Sequence, residues 1–181
     1  EKYTQKIGNK EAAVDAVRYF LLREISPTED GDFTHKRFEE RCNSDLANGL
    51  GNLVARVLTL AAKLKVKNEK GKTKIKNEKM GKQIQKTQTK VIQFLEDFRF
   101  NEALASIWEL ISFCDKTINE TRPWEIGNEK LKMKNEKVIS DLLLAIKEIT
   151  ELLKPFLPQT SEKIKEQLKV GKSTLLFPRI L

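Results

Sequence analysis

The sequence predicts an all-α fold, a helical bundle of about five to six helices, on three observations. Apolar residues recur at steps of three and four in five separate stretches, the spacing that lines one helical face. No strand pattern of any length competes with them. Prolines and runs of turn formers fall between the periodic stretches, at Pro27, Pro123, Pro155, Pro158 and Pro178, where a helix must stop. At 181 residues the chain is one domain, or one domain with a small appendage, with room for a substantial core.

Glu11 to Glu24 is the first predicted helix, with Val14, Val17, Phe20 and Leu21 on its inner side, and the run SPTEDGD (26–32) ends it. Thr34 or Asp32 then caps a long helix reaching Leu64. In it Phe38, Cys42, Leu46, Leu50, Leu53, Val57, Leu60 and Leu64 make one apolar stripe. A third helix spans about Lys82 to Phe98, with Ile84, Val91, Ile92, Leu95 and Phe98 inward. Asn101 is placed to cap a fourth, whose stripe is Leu104, Ile107, Trp108, Ile111, Cys114 and Ile118 and which stops at TRPW (121–124). The fifth, Val138 to Phe156, is apolar nearly all round and therefore central. Ser161 caps a short sixth helix to about Leu168, and LLFPRI (175–180) is extended.

The net charge of +8 suggests a nucleic-acid partner, but it is not spread evenly. Lys63 to Lys90 holds eleven lysines against two acids, so that stretch carries +9 and the remainder sums to −1. The hexapeptides KVKNEK (65–70), KIKNEK (74–79) and KMKNEK (132–137) are near copies at scattered positions, which is no solenoid spacing. They read as lysine-rich insertions at about 65–82 and 127–137, either solvated loop expansions or sites of phosphate contact.

A mean hydropathy of −0.49 and a longest apolar run of about five residues, Leu142 to Ile146, fall far short of the roughly 20 apolar residues of a membrane span. The start lacks the apolar middle of a secretory signal, so the expected compartment is the cytoplasm and no membrane is expected as partner. Cys42 and Cys114 lie on apolar stripes and behave as small hydrophobes; with His35 they make no zinc ligand set. His35 is expected at the surface, about 10 Å along the helix from Cys42, too far to act as its base. Gly49 and Gly51 give G-x-G without the third glycine or a preceding strand, so a dinucleotide site fails. No catalytic or metal-binding set can be assigned, and no cofactor is expected in this stretch of chain.

What remains is a binding surface. Asn43, Asn48, Asn52 and Arg56 stand against the long apolar stripe, with Gly49 and Gly51 between them. Two glycines inside a helix cost roughly 0.5–1 kcal/mol each against alanine, so something must approach the backbone there. Asn52 and Arg56 lie one turn apart and point the same way, an amide and a guanidinium able to read polar edges. Trp124 comes directly after Pro123 at a helix exit and lies on no stripe, so it serves either as a platform for an unstacked base or as a cap on the bundle's end. Trp108, in mid-stripe, is core.

Several segments together resemble the part of the methionyl-tRNA synthetases, class I aminoacyl-tRNA synthetases, that lies downstream of the catalytic domain. VDAVRYFLLREISPTEDGDFT (14–34) is similar to the junction after the family's K-M-S-K-S loop, and NSDLANGLGNLVARVLTLA (43–61) to its first anticodon-domain helix. FNEALASIWELISFCDKTINETRPWEI (100–126) is similar to the helix ending in Pro-Trp, and LLKPFLPQTSEKIKEQL (152–168) to the last helices. The general helical pattern is shared with other class I synthetases, while the DGDF turn and the Pro-Trp pair point to the methionine branch. The resemblance implies a junction over 1–33 and an α-helical anticodon-binding domain over 34–181. It implies recognition of the CAU anticodon of methionine and initiator tRNAs, with Asn52 and Arg56 reading bases and Pro123 and Trp124 stacking one, the polar pair and the indole being expected to converge on a common pocket. The parent would use ATP with Mg to esterify tRNA through a catalytic domain in cis. That domain's motifs have no counterpart here, so the fragment is expected to be inactive alone. Two other readings stand beside this one: a helical protein-interaction module, and the anticodon domain of another class I synthetase.

Overall fold

The computed structural model describes residues 2–25, 30–66, 75–125 and 127–180. Among these, eight α-helices occur in order: α1 (Lys2–Ile7), α2 (Lys10–Glu24), α3 (His35–Arg41), α4 (Asn52–Leu64), α5 (Glu78–Glu96), α6 (Phe100–Thr121), α7 (Glu129–Leu153) and α8 (Pro158–Val170). A π-helical stretch, Cys42–Gly51, joins α3 to α4, so residues 35–64 wind without a break. The fold is all-α, and the described residues contain no strand. α7 is central, packed against α4, α5, α6 and α8. Its run Leu142 to Ile146 is buried throughout, as near all-round hydrophobicity requires.

The π-helical stretch explains the glycines. In an α-helix each step of four residues overshoots the face by about 40°, so Phe38, Cys42, Leu46 and Leu50 would spiral away from the core. Bonding from i to i+5 gives a wider turn that takes more than four residues, and steps of four then stay in line. All four side chains are buried. A Cβ on Gly51 would stand 3.0 Å from the Leu46 carbonyl oxygen five residues back, and one on Gly49 would stand 3.5 Å from Trp108 Nε1. The group that approaches the backbone at Gly49 is thus the protein's own indole, which packs at a tilt against Tyr19 with ring centroids 4.6 Å apart.

Several local expectations are corrected. α2 turns Ala16, Tyr19 and Phe20 inward, whereas Val14 and Leu21 are exposed. α5 buries Met80, Ile84, Thr87 and Val91 and leaves Ile92 and Phe98 outside. α6 begins at Phe100, ahead of Asn101. α8 begins at Pro158, and Ser161 lies buried inside it; the cap comes from α2, where buried Asp15 Oδ2 accepts from Thr160 N at 2.7 Å and Thr160 Oγ1 at 2.8 Å. α7 begins nine residues before Val138, capped by Asn128, so the second lysine-rich insertion is mostly helix and not a loop. Thr34 does cap α3, and the tail to Ile180 is non-helical, with Leu176, Phe177 and Ile180 buried.

Residues 26–29, with the expected break at Pro27, and 67–74, part of the first lysine-rich insertion, lie outside the described residues. The flanks of the latter are fixed. Lys65 closes α4 in the left-handed region at φ 56°, with Lys65 N donating to Ala62 O and Val66 N to Ala61 O. On the far side the buried Asp141 carboxylate of α7 accepts from Lys76 N and Asn77 N, each at 2.9 Å. His35 sits exposed at the start of α3 with Nδ1 2.6 Å from the Tyr3 hydroxyl, and Cys42 is buried a turn and more away.

Candidate nucleic-acid interface

The polar residues on the long helix divide by what they touch. The Asn43 side chain brackets the tail, donating to Ile180 O at 2.9 Å and accepting from Ile180 N at 2.7 Å. Asn48 Oδ1 accepts from Arg179 Nε at 3.0 Å. Both asparagines are therefore structural pegs for the C-terminal segment. Asn52 is exposed, and its amide has no hydrogen-bond partner among the described residues.

Arg56 lies one turn on and is half-buried between α4 and α6. Its Nη1 is 3.3 Å from Asp115 Oδ1 and its Nη2 donates to Asn119 Oδ1 at 2.9 Å. Those contacts engage two of the five guanidinium N–H donors and leave three for a ligand. Burial lifts the Asp115 carboxyl above the usual carboxylate range, and Arg56 pulls it partly back. The guanidinium is thus held in one pose at the groove between the helices, as side chains that recognise planar polar edges must be.

Trp124 owes its position to a turn. α6 ends with Arg122 in the left-handed region at φ 45°, and Glu125 N donates to Arg122 O at 3.0 Å. Pro123 occupies the second position of that four-residue turn, where its fixed φ is favourable, and it is buried. Trp124, third in the turn, projects outward and is 41% exposed. Asn135 of α7, buried, donates from Nδ2 to Glu125 O at 3.1 Å and pins the turn from behind.

Beside the indole is a pocket of about 260 Å³ lined by Lys63, Leu64, Lys65, Pro123, Lys132 and Asn135, among others. Asn52 and Arg56 are not among its lining residues. They lie further back on α4, Arg56 about 10 Å and Asn52 about 16 Å from Lys63 along the axis. The structure therefore arranges the three expected reading groups as a strip along the α4–α6 groove and not as one pocket. Lys63 continues the same row, since 52, 56, 59 and 63 succeed one another at steps of four, three and four. That spacing was a usable signal for Lys63; nothing in the sequence pointed to Asp115, Asn119 or Asn135. Among the described residues no group of three His, Cys, Asp or Glu could hold a metal ion, and no helix is long and apolar enough to cross a membrane.

Comparison with known proteins bears on what this face meets. The family model described as the anticodon-binding domain of tRNA ligase matches residues 77–179, and that of the class I tRNA synthetases (M) matches residues 3–58. The methionine–tRNA ligase of Caldanaerobacter subterraneus subsp. tengcongensis is 36% identical over 191 residues, covering 92% of this chain and 30% of the relative. That of Bacillus subtilis is 34% identical over 166 residues, covering 90% of this chain and 25% of the relative. The chain thus spans less than a third of the length of these curated relatives. In fold it is similar to apo methionyl-tRNA synthetase of Mycobacterium tuberculosis, with a TM-score of 0.81 at 23% identity over 99% of this chain and 40% of that one. A structure of that enzyme in complex with methionyl-adenylate gives 0.80 at 24% identity over 97% of this chain and 41% of that one.

Proposed function

The chain belongs to the anticodon-binding domains of tRNA ligases, in the methionine branch, and from that premise we propose that its α4–α6 face reads the CAU anticodon of methionine and initiator tRNAs. The observation that carries the reading is the strip itself: an amide without a partner among the described residues at Asn52, a guanidinium with spare donors at Arg56, and an exposed indole at Trp124. Single-stranded RNA loops are recognised by splaying bases onto aromatic faces and hydrogen-bonding their edges. In this reading Asn52 and Arg56 bond base edges, Trp124 stacks one base, and Pro123 holds the indole in place. Because the groups lie along a strip and not around the one pocket expected, the reading requires each to meet a different base of the splayed strand.

On the same premise we propose that 34–181 acts as the binding domain and 1–33 as its junction to a catalytic domain in cis. The whole protein would then activate methionine with ATP and Mg and esterify tRNA in the cytoplasm. Titrating an RNA hairpin bearing CAU against one with a changed anticodon tests the binding claim. The CAU hairpin is expected to bind more tightly, and Trp124→Ala and Arg56→Ala each to weaken it by about 1–3 kcal/mol, the range for a stacked base or a bidentate contact. Equal affinity for the two hairpins removes the sequence-specific claim and favours a helical protein-interaction module.

A further inference from the structure

The pocket beside Trp124 has a composition that base stacking does not use. Lys63 and Lys65 reach it from the end of α4, and Lys132 from the first turns of α7. All three are exposed, and none has a carboxylate partner among the described residues. The acid at the rim, Glu125, is already taken by Arg122, with Nη1 3.3 Å from Oε1. Elsewhere on the surface lysines do find acids, as Lys82 does with Glu78 at 2.6 Å and Lys90 with Glu109 at 3.4 Å. Three ammonium groups around one pocket repel one another, an arrangement that an anion relieves.

The backbone is arranged to keep them there. Lys65 is held in the left-handed region, a conformation a non-glycine residue adopts at some cost and which persists where surrounding contacts enforce it. Lys132 sits three residues before Asn135, whose buried amide ties α7 to the Trp124 turn. The C-terminal end of α4 and the first turns of α7 therefore meet beside the exposed indole, and bring lysines from distant parts of the sequence to one pocket.

We propose that Lys63, Lys65 and Lys132 form a phosphate subsite for the RNA strand whose base stacks on Trp124. The inference rests on the reading of Trp124 as a base platform and adds the backbone contact next to it. The lysines supply affinity and register rather than sequence choice, because phosphate oxygens carry no base identity.

The test is the salt dependence of hairpin binding. For single strands the slope of log K against log salt is about −0.7 per phosphate neutralised. Replacing Lys63, Lys65 and Lys132 by glutamine is expected to flatten the slope by about 0.7–2, to weaken both hairpins equally, and to leave their affinity ratio unchanged. A control carrying Lys36→Gln, Lys147→Gln and Lys154→Gln loses the same charge, with Lys36 and Lys154 about 30–40 Å along their helices from Lys63 and Lys132. It is expected to keep the wild-type slope. Equal flattening in both triple variants, or none in the first, overturns the subsite while leaving the anticodon reading intact. A wild-type protein that does not distinguish the hairpins overturns the anticodon reading instead, and a wild type that binds neither overturns both.

Discussion

Asp141 is the side chain through which the lysine-rich insertion is tied to the core, and its removal is a quantitative test of that arrangement. The carboxylate is buried on α7, yet each oxygen accepts one backbone N–H, from Lys76 and from Asn77, just where α5 begins. It neutralises donors that have no intrahelical partner, at the positive end of the α5 dipole. Hydrogen bonds to a charged acceptor contribute about 1.5–3 kcal/mol each. Lys76 is exposed, so its freed N–H can turn to water, and the lower figure applies to both bonds. Asp141→Ala is then expected to cost about 3 kcal/mol. In a chain of this size each kcal/mol moves Tm by about 2–4 °C, so a drop of about 6–12 °C is expected. Asp141→Asn keeps one acceptor and turns a donor toward the other N–H, so it is expected to lose nearly as much. Urea denaturation monitored by circular dichroism measures the loss, and amide exchange at Met80 and Gly81 reports whether the first turn of α5 frays with it. A loss below about 1 kcal/mol for Asp141→Ala, or unchanged exchange at those amides, refutes the claim that this carboxylate fixes the start of α5.

Three further expectations rest on particular contacts. Gly81→Ala, in the interior of α5 with open space around its Cβ position, is expected to gain about 0.5–1 kcal/mol, whereas Gly51→Ala gains nothing or loses, because its Cβ meets the Leu46 carbonyl at 3.0 Å; paired urea midpoints decide between them. Asp15→Ala is expected to destabilise by about 3 kcal/mol, since it strips a buried cap from Thr160 at the start of α8, and adding Thr160→Val is expected to recover little of that because the backbone N–H stays orphaned. Thermal denaturation of the single and double variants measures both. Burial pushes the Cys42 and Cys114 thiols up to about 12, with nearby acids adding to the shift. Their folded-state values exceed the unfolded one of about 8.5, so the stability they contribute is whole below that pH and drains away as pH rises toward 12, by about 1.4 kcal/mol per pH unit for each. Denaturation at pH 8 and at pH 10 should show this decline in the wild type and a smaller one in the Cys42→Ala, Cys114→Ala double variant.

The helices were legible because burial writes a period into the sequence, and where the period is regular, as from Leu104 to Ile118, the residues assigned to the stripe are buried, save Trp108, which is partly buried and packs against them. Ends were harder. α8 takes its cap from Asp15, 145 residues away in the chain, and no local pattern can register a partner that remote. The inner faces of α2 and α5 depart from their expected residues for a related reason. A hydrophobic residue need not be inside, and the choice between Val14 and Tyr19 is made by what α6 and the π-helical stretch present, namely Trp108 and Asp45. In the candidate site Asn52, Arg56 and Trp124 stood out as residues that break a rule, polar or aromatic off the stripe. Asn119 breaks none, and its part in holding Arg56 emerges only with the packing of α4 on α6.

The repeated hexapeptide shows the same limit from the opposite side. In KIKNEK the asparagine, Asn77, stands before a helix and caps it, accepting from Met80 N at 3.2 Å. In KMKNEK the equivalent residue, Asn135, lies inside a helix, buried, and donates to the carbonyl of Glu125. One string of residues thus serves as a start signal in one place and as a tertiary peg in another. The difference cannot come from propensity, which the two copies share. It comes from their neighbours: the second copy runs directly into the buried stripe of α7, which begins at Ile139, whereas the first copy stands against Asp141. The lysines are indifferent to either role, since Lys76 and Lys79 in the first copy and Lys132, Lys134 and Lys137 in the second are all exposed. Of these five only Lys132 borders the pocket beside Trp124, so the second copy alone brings a cation to the indole.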